Sequence, residues 1–127
     1  MPLVRIDTVK KEDPEFIVQV GDIVYRAMRA AINIPENDHF QVLNEHSINH
    51  IIYDDQYLGI ERTDQIIFIQ ITLNEGRTIE QKKSLFQTIV TSLNFELQVR
   101  IQDVFINLVE VKKENWSFGN GIAQYAV

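Results

Sequence analysis

Two widely separated stretches of this chain carry residues able to do acid–base chemistry. Pro2 follows Met1 directly and opens the run Leu3-Val4-Arg5-Ile6-Asp7. Removal of Met1 would leave Pro2 with a free secondary amine on a rigid strand. An exposed α-amino group titrates at roughly 7.7–8.0. Burial disfavours its charged form, so a walled-in terminal proline is suited to give or take a proton near neutrality. The second stretch is Asn115-Trp116-Ser117-Phe118-Gly119-Asn120-Gly121. Its Trp116 and Phe118 stand two apart and point to one side if the chain is extended there, which would make such a wall. Each stretch alone has a plainer reading: Pro2 as a chain end, the aromatic pair as core.

Two further residues are candidates on local grounds. Arg77 lies just before a predicted helix start, where free N–H groups and the positive end of the helix dipole favour an anion. Its guanidinium could grip a carboxylate with two parallel hydrogen bonds, or it is a solvated turn residue. Asp38 follows Pro35-Glu36-Asn37 and reads either as turn chemistry or as a functional carboxylate. Other patterns lead nowhere. His46 and His50 are four apart, without the H-E-x-x-H context or a third ligand that a zinc site needs. Gly119-Asn120-Gly121 has turn character but no strand-to-helix setting for phosphate.

These residues must be held by an ordinary globular chain. Its 127 residues are 45% hydrophobic and 24% charged, with a formal net charge of −6 and no cysteine. The length predicts a single domain, residues 1–127, able to bury about two thirds of its unfolded surface. The acidic balance argues against nucleic acid or an anionic membrane as partner, and the pairs Lys10-Lys11, Lys82-Lys83 and Lys112-Lys113 read as solvated faces. Without cysteine there are no disulfides or thiolate metal sites. The start of the chain has no apolar signal-peptide core, and no apolar run approaches the roughly 18 residues of a membrane span. A cytoplasmic location is the expectation.

Periodicity supplies the scaffold. Leu3 to Asp7 alternates as a strand. Asp13 and Pro14 have the types of a helix cap and first helical residue, and Phe16, Val20, Ile23, Val24, Ala27 and Ala31 form one stripe of a helix ending before Pro35. Phe40 to Glu45 reads as a second strand. The stretch from His46 to Asp64 reads as loop, with a short extended piece around His50–Asp54. Ile66 to Leu73 is strongly β-prone, Thr78 and Gln81 form a capping box, and Leu85, Phe86, Ile89, Val90, Leu93 and Leu97 stripe a second helix. Val104 to Val111 is the fourth strand. Asn120-Gly121 signals a tight turn between Trp116-Ser117-Phe118 and Ile122-Ala123-Gln124-Tyr125, hence a terminal hairpin.

The predicted class is therefore α+β: two consecutive β-α-β units in a four-stranded mixed sheet, with two helices on one face and a C-terminal hairpin. Ile66-Ile67-Phe68-Ile69 and Val104-Phe105-Ile106 are apolar on both sides, while two helices cover only one face. The other face is left for further copies of the chain, as in most symmetric assemblies, or for the long middle loop.

Taken together, Pro2-Leu3-Val4, the run Ile34-Pro35-Glu36-Asn37-Asp38-His39-Phe40-Gln41, the helix start from Arg77 to Lys82 and Trp116-Ser117-Phe118-Gly119 resemble the tautomerase superfamily, in its malonate semialdehyde decarboxylase-like branch. The resemblance spans nearly the whole chain. It implies a homotrimer without a metal or organic cofactor. It matches Pro2 to the catalytic terminal proline, Asp38 to a carboxylate beside it that is proposed to position or activate water, and Arg77 to an arginine for the substrate carboxylate. Trp116, Phe118 and Tyr125 match the aromatic wall that keeps water from the proline. One departure stands out. The loop Asn74-Glu75-Gly76-Arg77 is one residue longer than the branch pattern, lacks its second arginine and adds the negative Glu75. The expected activity is proton transfer by Pro2 on a small 2-oxo or 3-oxo acid or its enol, a keto–enol isomerisation. The alternative is decarboxylation or hydration of a 3-oxo acid such as malonate semialdehyde, and from another class a non-catalytic trimeric binding protein.

Overall fold

A computed structural model describes residues 2–126; the expectation that Met1 is removed lies outside the described residues. Four strands, β1 (Leu3–Val9), β2 (Gln41–His46), β3 (Ile67–Asn74) and β4 (Val104–Val111), form one mixed sheet in the order β2-β1-β3-β4. β1 pairs parallel with β2 and antiparallel with β3, and β3 pairs parallel with β4. Helices α1 (Phe16–Ile32) and α2 (Ile79–Leu97) connect each parallel pair. These are the two β-α-β units read from the sequence.

Alternation of side chains sets the core. Val4 and Ile6 of β1 and Ile67, Ile69, Ile71 and Leu73 of β3 turn inward, at 1% exposure or less. Val20, Ile23, Val24 and Ala27 of α1 and Leu85, Ile89 and Leu93 of α2 pack on them, while Phe16, Ala31 and Leu97 are only partly buried at the margin. Gly21 lets α1 approach β2: Gln41 Nε2 donates to its carbonyl at 2.8 Å. A Cβ at this position would fall 2.4 Å from Gln41 Oε1.

Helix termini differ from each other. Thr78 caps α2 as expected, its hydroxyl accepting from Gln81 N while Gln81 Oε1 accepts from Thr78 N. Helix α1 begins at Phe16, later than the Asp13-Pro14 signal. The Asp13 carboxylate accepts from Glu15 N at 2.9 Å, so this cap residue closes a turn ahead of the helix. The left-handed Asn33, at φ 57°, ends α1 before Pro35.

The middle segment is loop, as its sequence predicts, and Ile51 within it is extended, at φ −113° and ψ 118°. The 3-10 turns at Ile48–His50 and Tyr57–Gly59 shape this region. Arg62 Nη1 gathers it by donating to the carbonyls of Asp54, Tyr57 and Ile60. The terminal hairpin is corrected. The chain does reverse at Asn120 and Gly121, both with positive φ, but no strand ladder joins the two arms. Instead Gln124 takes the backbone positions that a ladder would use, accepting from Phe118 N at 3.0 Å and donating to Gly119 O at 2.9 Å.

The sheet face away from the helices is less apolar than its strands suggested. Phe68 and Phe105 meet there at 5.3 Å between ring centroids. Arg5, Asp7, Gln70 and Asn107 surround them, because the consecutive isoleucines of β3 alternate and send Ile67 and Ile69 to the core. The middle segment reaches only one end of this face, where Ile52, Tyr53 and Tyr57 join Phe68 and Phe105 around a cavity of about 270 Å³. No helix among the described residues is long and apolar enough to cross a membrane.

Candidate active site

Topology explains why distant motifs converge. Because β2 runs with β1, both strands begin at the same edge of the sheet. Because β3 runs against β1 and β4 runs with β3, both of these end there. The residue before β1, the turn before β2, the loop after β3 and the segment after β4 therefore share one rim. They carry Pro2, Asp38, Arg77 and Trp116.

Pro2 is buried. With Leu3, Phe40, Trp116, Ser117 and Phe118 it lines a cavity of about 240 Å³ whose walls are mainly apolar. Phe40 is fixed next to it by Val4 N, which donates to the Phe40 carbonyl at 3.0 Å. Trp116 and Phe118 stack at 5.5 Å and an interplanar angle of 17°. Tyr125 stands behind them, edge-on to Phe118 at 4.9 Å. It supports the wall from outside rather than lining the cavity.

Asp38 ends the turn before β2 and is 8% exposed. Its N–H donates to the Pro35 carbonyl at 3.1 Å. The same turn is held from α1, where the Tyr25 hydroxyl donates to the Glu36 carbonyl and the Tyr25 ring stacks on His39 at 4.1 Å. Asp38 thus belongs to a turn, as one of its two readings had it, and its carboxyl is buried. Burial pushes its pKa up, and the Arg77 charge acts in the opposite direction.

Arg77 is partly buried ahead of the capped α2 terminus, and its Nη1 donates to the Asn74 carbonyl at 3.1 Å. Neither Asp38 nor Arg77 is part of the cavity lining around Pro2; they form the charged side of the same rim. Asn74, Phe40 and Ser117 were not recognised from the sequence. Phe40 was within reach, since it stands two residues beyond Asp38 and ahead of a predicted strand. Asn74 accepts from Trp116 Nε1 at 2.7 Å, a contact without a local signal.

His46 makes its contact elsewhere. Its Nε2 lies 2.6 Å from Asp7 Oδ1, and among the described residues no group of His, Asp and Glu is arranged to hold a metal ion. The rim offers a candidate proton carrier in an apolar recess, a carboxyl whose neutral form burial favours, and one guanidinium. That set suits proton transfer at a small carboxylate-bearing molecule.

Comparison with known proteins identifies the family. A family described as "Tautomerase enzyme" matches residues 38–119. The chain is 41% identical over 124 residues to the probable tautomerase YusQ of Bacillus subtilis (strain 168), covering 98% of each chain. The chain belongs to the tautomerase superfamily. Within it, the solved structures place this tautomerase-family chain in the malonate semialdehyde decarboxylase-like branch. The structure of FG41 malonate semialdehyde decarboxylase inhibited by 3-bromopropiolate superposes with a TM-score of 0.90 at 37% identity, covering 98% of this chain and 94% of that one. A second malonate semialdehyde decarboxylase, studied as wild-type, mutant and inactivated protein, superposes at 0.89 with 26% identity, covering 98% and 95%.

Proposed function

We propose that the protein is a tautomerase-type enzyme in which the amine of Pro2, freed by removal of Met1, shuttles a proton on a small 2-oxo or 3-oxo acid or its enol. The observation that carries this reading is the burial of Pro2 among Phe40, Trp116 and Phe118. A ring nitrogen there would be shielded from water, which lowers the cost of its neutral form relative to its charged one. Keto–enol exchange needs such a neutral base at pH 7. Arg77 holds the substrate carboxylate, with Asn74 steadying the guanidinium. Tyr125 backs the aromatic wall and tunes it indirectly. The chemistry asks for no cofactor or metal.

The test is turnover of aryl and alkyl enol-pyruvates by protein whose intact mass shows loss of one methionine. Pro2→Ala should lower the rate by roughly 10²–10⁴-fold, the usual contribution of a general acid–base group. An unchanged rate would remove Pro2 from the mechanism. Retention of Met1 together with absence of turnover would favour a non-catalytic binding protein instead.

Asp38 supports a second reading, decarboxylation or hydration of a 3-oxo acid such as malonate semialdehyde with a protonated Pro2. A buried carboxyl beside the cavity can position water, and the solved relatives at 37% and 26% identity are named as decarboxylases. Asp38→Asn should then abolish hydration or decarboxylation while sparing keto–enol exchange, which consumes no water.

We also infer a homotrimer, with β4 near the subunit contact. Phe105 is 46% exposed and Val42 and Val109 are each 37% exposed, on a face that the helices do not cover. Light scattering that finds a stable monomer at micromolar concentration would reject the assembly.

A further inference from the structure

Asn74 is the last residue of β3, opposite Val111 of β4, and it makes two contacts of different kinds. Its backbone carbonyl accepts from Arg77 Nη1 at 3.1 Å. Its side-chain Oδ1 accepts from Trp116 Nε1 at 2.7 Å. Its own position is fixed by the strand ladder and by Glu75 N, which donates to the Val111 carbonyl at 2.9 Å. The capping box at Thr78 and Gln81 fixes the far end of the same loop.

An indole has one donor, and a partly buried indole that loses its acceptor turns or takes water in its place. Trp116 carries Phe118 by stacking, and Phe118 carries Tyr125. Gln124 holds the Phe118 and Gly119 backbone separately, so what the Asn74 side-chain oxygen sets is the orientation of the indole on which the rest of the wall packs. The guanidinium hangs on the backbone of that same residue.

We propose that Asn74 is a positioning residue that sets the distance between the Arg77 guanidinium and the Trp116 wall, and through it the size of substrate accepted between them. This deepens the functional reading above and rests on it for the substrate arm alone. A compact three-carbon acid fills the space when the wall is held close. Release of Trp116 lets the wall retreat and favours bulkier acids.

The chain has a single tryptophan, so its intrinsic fluorescence reports this contact directly. Asn74→Ala removes the side-chain oxygen and leaves the carbonyl that holds Arg77. Trp116 emission should shift to the red and acrylamide should quench it more readily. Asn74→Asp keeps an acceptor oxygen and should restore the protection of wild type. The preference, as kcat/KM for a three-carbon acid over an aryl enol-acid, should fall roughly threefold to tenfold in Asn74→Ala, the range for one net hydrogen bond. The ratio of rates on an acid and its ester, which reports Arg77, should stay unchanged.

Trp116→Phe keeps a ring without the N–H and should lose the same preference. Adding Asn74→Ala to it should cost nothing more, the non-additivity expected of two ends of one contact. Additive losses, or unchanged emission and quenching in folded Asn74→Ala, would overturn the proposal. Absence of any turnover in wild type would sink the functional reading instead, and the fluorescence comparison would still decide whether Asn74 holds the wall.

Discussion

Asp38 and Asp103 are both buried carboxylates, at 8% and 0% exposure, and they stand at opposite ends of one sheet. Asp103 precedes β4 at the end where β1 finishes. It accepts from Thr63 N at 2.7 Å, from the Thr63 hydroxyl at 2.6 Å and from Arg100 Nη1 at 3.1 Å. This shell fastens the segment leading into β3 to the start of β4. Asp38 lies at the rim that holds Pro2, where burial works against its charge. Burial alone therefore does not mark a functional acid. The donors around Asp103 make it a clasp, whereas burial that opposes ionisation, as at Asp38, is the setting that suits an acid or base.

The largest expected effect that would break this contrast is at the clasp. Asp103→Ala strands the Thr63 donors and Arg100, so it should cost about 3–5 kcal/mol, the range for removing one partner from a buried charge contact. Denaturant midpoints measure the loss. The rate per folded molecule at low temperature should remain that of wild type, because Asp103 is remote from the rim. A large loss of rate without a loss of stability would contradict its assignment as structural.

Arg77→Ala should weaken binding of acidic substrates by roughly 2–5 kcal/mol, the range for truncating one side of a desolvated charge pair. Neutral esters should suffer far less. Rates on an enol-acid and its ester check this, and equal losses on both would show that the arginine serves only its turn. A smaller change is expected from Arg100→Met. The Arg100 side chain is 40% exposed, and Asp103 keeps both Thr63 donors, so the stability loss should stay near 1 kcal/mol. A loss as large as that of Asp103→Ala would mean that the ion pair, rather than Thr63, secures the clasp.

The clasp and the rim also differ in how far the sequence disclosed them. Local signals were read well. The fourth strand, Val104–Val111, runs as its β-branched pattern indicated, and the capping box at Thr78 needs only a residue three positions on. The rim was legible through the resemblance, which named Pro2, Asp38, Arg77 and Trp116 together; each sits next to an element boundary, and the parallel and antiparallel pairings gather those boundaries. Contacts that depend on distant chain were not legible. Asn74 meets Trp116 across 42 positions and Thr63 meets Asp103 across 40, so neither has a signature of its own. Where side chains took over backbone roles the local signals misled. Gln124 replaces a hairpin ladder, and Asp13 closes a turn in place of capping α1.

The finest test of the contrast is the pH dependence of stability. Because burial raises the Asp38 pKa in the folded state, the folded protein holds that proton more tightly than the unfolded chain, whose carboxyl titrates at about 3.9. Between the two values the native state binds the extra proton. Stability must then fall as pH rises across that window, and above it the cost of ionising a buried carboxyl stays in place. Asparagine has the shape of the protonated acid and cannot ionise. Asp38→Asn should therefore flatten the profile from pH 4 upward and be more stable than wild type once Asp38 is ionised, by less than Asp103→Ala loses. Urea midpoints of both proteins between pH 4 and pH 8 measure this. Parallel profiles would mean that the rim accommodates the Asp38 charge as readily as water does, and the distinction between the clasp and the acid would then have to rest on activity alone.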